Sequence, residues 1–113
     1  MSDCLFCKII AGEIPSRKVY EDEHCYAFYD IAPKAPCHVV LVSKNHVANV
    51  GEAASLSDQE LAAMMRAVGK IAKQENLLNG YRMVSNCGPD ACQSVGHWHI
   101  HILGGHQLSE EMA

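Results

Sequence analysis

The chain has 113 residues, a formal net charge of −4 and 49% hydrophobic residues. One domain spanning residues 1–113 is the natural expectation for this length. Basic residues are scattered and form no stripe, which argues against binding to nucleic acid or an anionic membrane. No apolar run approaches the ~20 residues needed to span a bilayer. The N-terminus lacks the basic region and long apolar stretch of a secretory signal, so we expect a cytoplasmic protein.

The cysteine content is high for a cytoplasmic chain. The six positions are Cys4, Cys7, Cys25, Cys37, Cys87 and Cys92. Without an export signal, free thiols or metal ligands are favoured over a disulfide framework.

The first half of the chain predicts one short helix and three strands. Residues 5–11 are rich in apolar side chains and are followed by Gly12, which is typical of a helix that ends at a glycine. Residues 17–21 and 25–29 form a predicted hairpin around an acidic turn. Residues 37–42 form the third predicted strand.

A long helix is predicted at residues 56–75. Ser57 and Glu60 have the spacing of a capping box, and Leu56 and Leu61 bracket it as a hydrophobic staple. Apolar side chains then recur on one helical face. They are Leu61, Met64, Met65, Val68, Ile71 and Ala72. We interpret this stripe as core packing and assign no cofactor role to its methionines.

The second half predicts two further strands. Asn79-Gly80 turns the chain into a strand at residues 81–86, and a loop at 87–90 leads back to a histidine-rich strand. The whole order therefore predicts an α+β fold, a five-stranded antiparallel sheet with one long and one short helix. Short connections favour a meander with both helices on one face of the sheet.

Three histidines alternate with apolar residues in the last predicted strand. Period-two alternation places His97, His99 and His101 on one face. The other face carries Trp98, Ile100 and Ile102 and is expected to lie in the core. The histidine face is too polar to be buried without partners.

Three explanations for the histidine row remain open. It could be a solvated surface, a metal site, or a site that handles an anion. A straight strand spaces His97 and His101 about 13 Å apart, and zinc–nitrogen bonds are about 2 Å, so one ion could hardly bind all three. Gln93 and Ser94 before the row, and glycines after it, favour the anion site.

The residues His97-Trp98-His99-Ile100-His101-Ile102 match the His-x-His-x-His-x signature of the histidine triad (HIT) superfamily. The flanking segments 93–95 and 103–105 are similar to its Hint branch in particular. The resemblance covers nearly the whole chain. It also includes Phe6-Cys7-Lys8-Ile9-Ile10, Gly12-Glu13-Ile14-Pro15, Asp30, Ala35-Pro36-Cys37-His38, Lys44-Asn45-His46, Gly80-Tyr81-Arg82 and Asn86.

The resemblance implies a hydrolase that cleaves the P–N bond of purine nucleoside phosphoramidates. Members are homodimers whose sheets join into one continuous larger sheet. By position, His99 is the nucleophile that forms a nucleotidyl-histidine intermediate, which splits one difficult step into two. His101 contacts the phosphate oxygens, His38 supports the nucleophile, and Ser94 relays a proton to the departing amine.

The resemblance also implies a nucleotide-binding set. Its members are Asp30, Ile31, Asn86, Cys92, Gln93, Ser94, His99 and His101. Asp30 and Ile31 match the ribose and base pocket, and Asn86 matches a contact to the α-phosphate or ribose. Cys92 stands where relatives usually have a glycine, so its side chain is expected to narrow the site or alter the loop. No organic cofactor and no Mg²⁺ site are expected.

A structural zinc site is expected at Cys4, Cys7, His46 and His97, because some bacterial relatives bind zinc at these positions. Two reduced cysteines on a short helix remain the alternative. The tail, residues 109–113, replaces a Trp-Pro-Gly-like ending of Hint proteins that reaches the partner's active site. It could disfavour acidic leaving groups.

Two competing functions stay open. One is a dinucleoside polyphosphate hydrolase of the Fhit type, against which Ser94 and the glycines at 104–105 argue. The other is a nucleotide-binding interaction module with little turnover.

Overall fold

The computed structural model describes residues 3–111 and confirms an α+β fold with a five-stranded antiparallel sheet. The helices are α1 (Leu5–Ile10) and α2 (Asp58–Gln74). The strands are β1 (Lys18–Glu21), β2 (Cys25–Tyr29), β3 (Cys37–Ser43), β4 (Tyr81–Val84) and β5 (His99–Gly104). Short 3-10 turns lie at Val50–Ser55 and Pro89–Ala91. Within the described range, no helix is long and apolar enough to cross a membrane.

The strand order is β1-β2-β3-β5-β4, so the expectation of a simple meander was wrong at the last two strands. β5 pairs with β3 in the middle of the sheet, and β4 lies at the edge. The burial of the two strands explains this order. β5 is almost wholly buried on both faces, whereas Tyr81 and Met83 on β4 are exposed. The edge position leaves the more exposed strand in contact with solvent.

The two helices lie on opposite faces of the sheet, so the expectation that they share one face was also wrong. Met64 and Ile71 of α2 pack in one cluster with Leu41 of β3. Phe6 and Ile9 of α1 pack in another. That second cluster includes Tyr26, Phe28, Val40 and Val42. The continuous aliphatic run of β3 explains the arrangement, because successive side chains point to opposite faces and both faces must be covered.

Local sequence signals set the helix ends. The Ser57 hydroxyl accepts from the Glu60 N–H at 3.1 Å, and the Glu60 carboxylate accepts from the Ser57 N–H at 2.8 Å. The predicted capping box is therefore confirmed. α1 ends at Ile10 and is followed two residues later by Gly12, whose φ of +80° lies in the left-handed region that glycine adopts without a Cβ clash. This glycine turns the chain away soon after Cys7.

Candidate functional site

β5 presents two imidazoles toward the α1 side of the sheet. His99 pairs with Val42 and His101 with Val40, and these valines belong to the α1-side cluster. Trp98 and Ile100 lie in the cluster on the α2 side. The predicted alternation is confirmed, but the strand begins at His99, so His97 lies in the segment just before it.

His99 is held in one tautomer. Its Nδ1 lies 2.7 Å from the His97 carbonyl oxygen, which only accepts, so Nδ1 carries the proton. The neutral ring then has its lone pair on Nε2, and we find no hydrogen-bond partner for Nε2 within residues 3–111. The ring is 4% exposed and packs edge-on to Phe6 and to His101, each with centroids 5.0 Å apart. A fixed imidazole with a free lone pair is a competent nucleophile near pH 7.

His38 and His101 form a directed hydrogen-bond chain. The backbone N–H of Lys34 donates to His38 Nδ1 at 3.0 Å, so a neutral His38 carries its proton on Nε2. That Nε2 lies 2.9 Å from His101 Nδ1, which therefore accepts. His101 is left with its proton on Nε2, available to an oxygen of a ligand. The backbone thus sets the donor direction of both rings.

Burial keeps both rings of this chain neutral near pH 7. Burial, with the neighbouring His99 and His38 adding to it, lowers the pKa of His101 to about 4. Burial also lowers the pKa of His38, although the Asp30 carboxylate 3.5 Å away acts in the opposite direction. Both rings can therefore donate an N–H without carrying a charge.

Asp30 lines two cavities. The first has a volume of about 560 Å³ and is lined by apolar and polar side chains, the polar ones including Asp30, His38, Asn86, Ser94 and His101. The second, of about 530 Å³, is lined mainly by apolar groups, among them Ile9, Pro15, Phe28, Ile31 and Pro33. The Ile31 side chain is fully exposed at the rim. Two cavities that share Asp30 in their lining, one with many polar side chains and one mainly apolar, can receive an amphiphilic ligand.

Gln93 and Cys92 lie outside the lining of both cavities. The Gln93 amide donates to the carbonyls of Ala48 and Val95 and accepts from the Gly88 N–H, so it fixes the loop that carries Ser94. Cys92 is exposed, and its φ of +60° is left-handed. A left-handed backbone is one that glycine adopts at no steric cost, whereas the Cys92 Cβ is strained there.

Four side chains that could ligate a metal, here called the cysteine cluster, join the N-terminal segment to the sheet. Single ligand atoms of Cys4, Cys7, His46 and His97 all lie within 4.8 Å of one another. Cys4 Sγ is 3.2 Å from His97 Nδ1, and Cys7 Sγ is 3.3 Å from His46 Nδ1. All six cysteines are free thiols, as expected.

The donor set and spacing of this cluster fit a tetrahedral metal. Zinc ligated by sulfur and nitrogen places the two ligand atoms roughly 3.5 Å apart, given bonds of about 2.3 and 2.0 Å. His97 Nε2 donates to the Ser43 carbonyl at 2.7 Å, which leaves the Nδ1 lone pair toward the cysteines. Such an outer hydrogen bond is what orients a ligating histidine.

Asp30, His38 and His101 also lie within the reach of one ion. However, the Lys34 N–H occupies the His38 Nδ1 lone pair, so Nε2 carries the proton and has no lone pair to offer. Ligation would break that backbone bond. We therefore interpret this group as a hydrogen-bond chain, and the cysteine cluster as the metal candidate.

Comparisons with known proteins agree with this geometry. The HIT domain model matches residues 11–108, and the chain belongs to the HIT domain family. An uncharacterized HIT-like protein of Synechococcus elongatus is 47% identical over 95% of this chain and 94% of its own. A 14 kDa zinc-binding protein of Zea mays is 44% identical over 96% of this chain and 86% of its own. A solved HIT family hydrolase from Clostridium thermocellum superposes with a TM-score of 0.93 at 41% identity, covering 100% and 99% of the two chains.

Sequence reasoning missed three contributions to the site. Phe6, in helix α1 between Cys4 and Cys7, packs on both His97 and His99. The Lys34 N–H and the Ser43 carbonyl set histidine tautomers, and backbone groups carry no sequence signal. Of the three, only Phe6 had a sequence signal, because it is an aromatic residue between two candidate metal ligands.

The low pKa of His101 predicts a pH-dependent stability. Its folded-state pKa of about 4 lies below the ordinary value of 6.5, so the unfolded chain binds more protons between these values. The contribution of neutral His101 to the free energy of unfolding is therefore fully present above pH 6.5 and is lost as the pH falls toward 4. From pH 7 to 5, wild type should lose on the order of 1–2 kcal/mol more unfolding free energy than His101→Gln. Urea titrations followed by Trp98 fluorescence measure this, and equal losses in both proteins would contradict it.

Proposed function

We propose that this chain is a Hint-type hydrolase that cleaves the P–N bond of purine nucleoside phosphoramidates such as AMP-amines. The observation that carries the proposal is His99, whose Nδ1–H is bonded to the His97 carbonyl and whose Nε2 lone pair is free beside the N–H donor of His101. A nucleophile next to a neutral donor is what transfer at phosphorus requires. The HIT family hydrolase from Clostridium thermocellum supports hydrolysis as the reaction class.

In the first step His99 Nε2 attacks the α-phosphorus. The P–N bond to the amine breaks, its electron pair stays on the departing nitrogen, and the Ser94 hydroxyl relays a proton to that nitrogen. The product is a nucleotidyl-His99. In the second step water attacks the phosphorus and gives up a proton that restores the Ser94 hydroxyl, the P–Nε2 bond breaks, and AMP leaves while His99 recovers its lone pair.

The surrounding groups stabilise the charge that develops. When Nε2 bonds to phosphorus the imidazole becomes cationic, and the His97 carbonyl at 2.7 Å accepts the Nδ1–H of that cation. His101 donates its Nε2–H to a phosphate oxygen, supported through Nδ1 by His38. Preorganised donors of this kind need no rearrangement during the reaction.

The nucleotide would lie across the two cavities. Asp30 lines both, and its carboxylate would accept the ribose hydroxyls. The base would enter the apolar cavity against Ile31 and Phe28, and Asn86 would face the α-phosphate or ribose from the polar side. Cys92 and Gln93 would act through the loop that carries Ser94.

We propose zinc as the metal of the cysteine cluster. The support is the tetrahedral fit of Cys4, Cys7, His46 and His97, together with relatives that are named zinc-binding proteins. Zinc there would fasten the N-terminal segment to the sheet and contribute to folding. His97 would be a ligand of the metal, which leaves His99 and His101 available for the reaction.

We also propose that residues 1–113 form one cytoplasmic domain that works as a homodimer. β4 is an edge strand with Tyr81 and Met83 exposed, and an unpaired edge is where a second copy can extend a sheet. Joining at β4 would give the continuous larger sheet expected from the family resemblance.

The function is tested with an adenosine phosphoramidate and diadenosine triphosphate as competing substrates. We expect faster cleavage of the phosphoramidate, and loss of turnover in His99→Ala with AMP binding largely retained. His24→Ala, a histidine replacement at the distant β1–β2 turn, is the matched control and should keep wild-type rates. Steady-state kinetics and AMP titration calorimetry provide the two measurements.

Each contrary outcome has a definite meaning. Faster cleavage of the triphosphate would replace the proposal with a Fhit-type hydrolase. AMP binding without turnover in wild type would indicate an interaction module. Normal turnover by His99→Ala would remove His99 as the nucleophile.

The metal proposal predicts about one zinc per chain in protein purified without chelator. Cys7→Ser should hold less than half of that, because it removes one of four ligands, whereas Cys87→Ser should match wild type since Cys87 is exposed and outside the cluster. Elemental analysis by mass spectrometry gives the stoichiometry. Wild-type zinc below half an equivalent would contradict the assignment.

A further inference from the structure

We infer that the Cys4–Cys7 cluster positions His99, through the Phe6 ring and the His97 peptide, so that metal loading controls the tautomer of the reactive imidazole. The consequence for catalysis rests on the proposed function of His99; the coupling itself does not. Phe6 and His97 are thereby positioning residues.

The first link is Phe6. It lies between the two cysteines, so its backbone is fixed wherever Cys4 and Cys7 are fixed. Its buried ring packs edge-on to His99 at 5.0 Å between centroids and to His97 at 5.9 Å. Phe28 supports it from the sheet at 5.6 Å. Helix α1 has only six residues, too few to be stable by itself, so the cysteine cluster would hold this ring together with the apolar packing of Phe6 and Ile9 on the sheet.

The second link is residue His97, which belongs to both sites. Its ring faces Cys4 through Nδ1 at 3.2 Å and donates from Nε2 to Ser43. Its carbonyl accepts the Nδ1–H of His99 at 2.7 Å. The N–H of the same peptide, that of Trp98, donates to the Val47 carbonyl at 2.7 Å, and Val47 adjoins the cluster ligand His46. Both groups that hold this peptide therefore belong to segments that carry cluster ligands, so releasing the cluster loosens the carbonyl that fixes His99.

The two links have one shared effect on His99. With the carbonyl in place the proton stays on Nδ1 and the lone pair on Nε2. Without it, neutral imidazole can carry the proton on either nitrogen, and the fraction with a free Nε2 falls. A packing role for Phe6 alone would change stability without changing which nitrogen is protonated.

The test is ¹⁵N NMR of the histidine imidazoles, which reports the protonated nitrogen. Zinc-loaded wild type should show His99 protonated on Nδ1, and both chelator-stripped wild type and zinc-loaded Phe6→Leu should show a mixture. Phe6→Tyr, which keeps the ring, should restore the Nδ1 form. Ile71→Val, a core change on the opposite sheet face, is the control and should match wild type.

Kinetics give a second readout. Phe6→Leu should lower kcat by roughly tenfold to a hundredfold, as misplacement of a reacting group does, with little change in KM. An unaltered His99 tautomer in stripped wild type would overturn the inference, whether or not Phe6→Leu folds. A tautomer change in a protein without phosphoramidase activity would sustain the coupling and reject only the proposed function.

Discussion

The hydrogen bond from His99 Nδ1 to the His97 carbonyl is the interaction on which the site depends. It joins two residues of one histidine run that differ in their surroundings. His97 lies beside the cysteines, before the strand begins, whereas His99 is the first residue of β5. The bond leaves one lone pair free on an otherwise buried ring. All the chemistry proposed for the protein requires that lone pair.

Histidines so close together would repel one another if they were charged. Burial avoids this, since it lowers the pKa of His38 and brings that of His97 and His101 to about 4. The buried ring nitrogens then need hydrogen-bond partners, and backbone groups supply three of them. Lys34, Ser43 and His97 contribute an N–H or a carbonyl oxygen to these rings. The clustered imidazoles are thus neutral hydrogen-bond donors and acceptors whose directions are fixed.

Much of the fold follows from the sequence because its signals are local. The capping box at Ser57 and the hairpin of β1 and β2 depend on neighbouring residues, and both were predicted. The order of β4 and β5 and the opposite placement of the helices depend on which faces bury most surface. That is a property of the whole sheet, so the pattern of any one strand does not determine it.

The candidate site divides in the same way. The resemblance to histidine triad proteins named side chains, and the structure brings Asp30, His38, Ser94 and His101 around one cavity and the four metal candidates into another cluster. The tautomers could not be predicted, because they are set by backbone groups, which carry no sequence signal. Gln93 illustrates the difference: the sequence indicates a polar group near phosphate, and the folded chain uses its amide to fix a loop.

The central claim is that His99 bonds transiently to phosphorus. Its most direct measurement is mass spectrometry of protein quenched in acid-free conditions during turnover of an adenosine phosphoramidate, with peptide mapping of the adduct. The account predicts a nucleotidyl group on His99 that forms and decays at rates compatible with turnover. An adduct on another side chain, or rapid turnover with none detected, would contradict it.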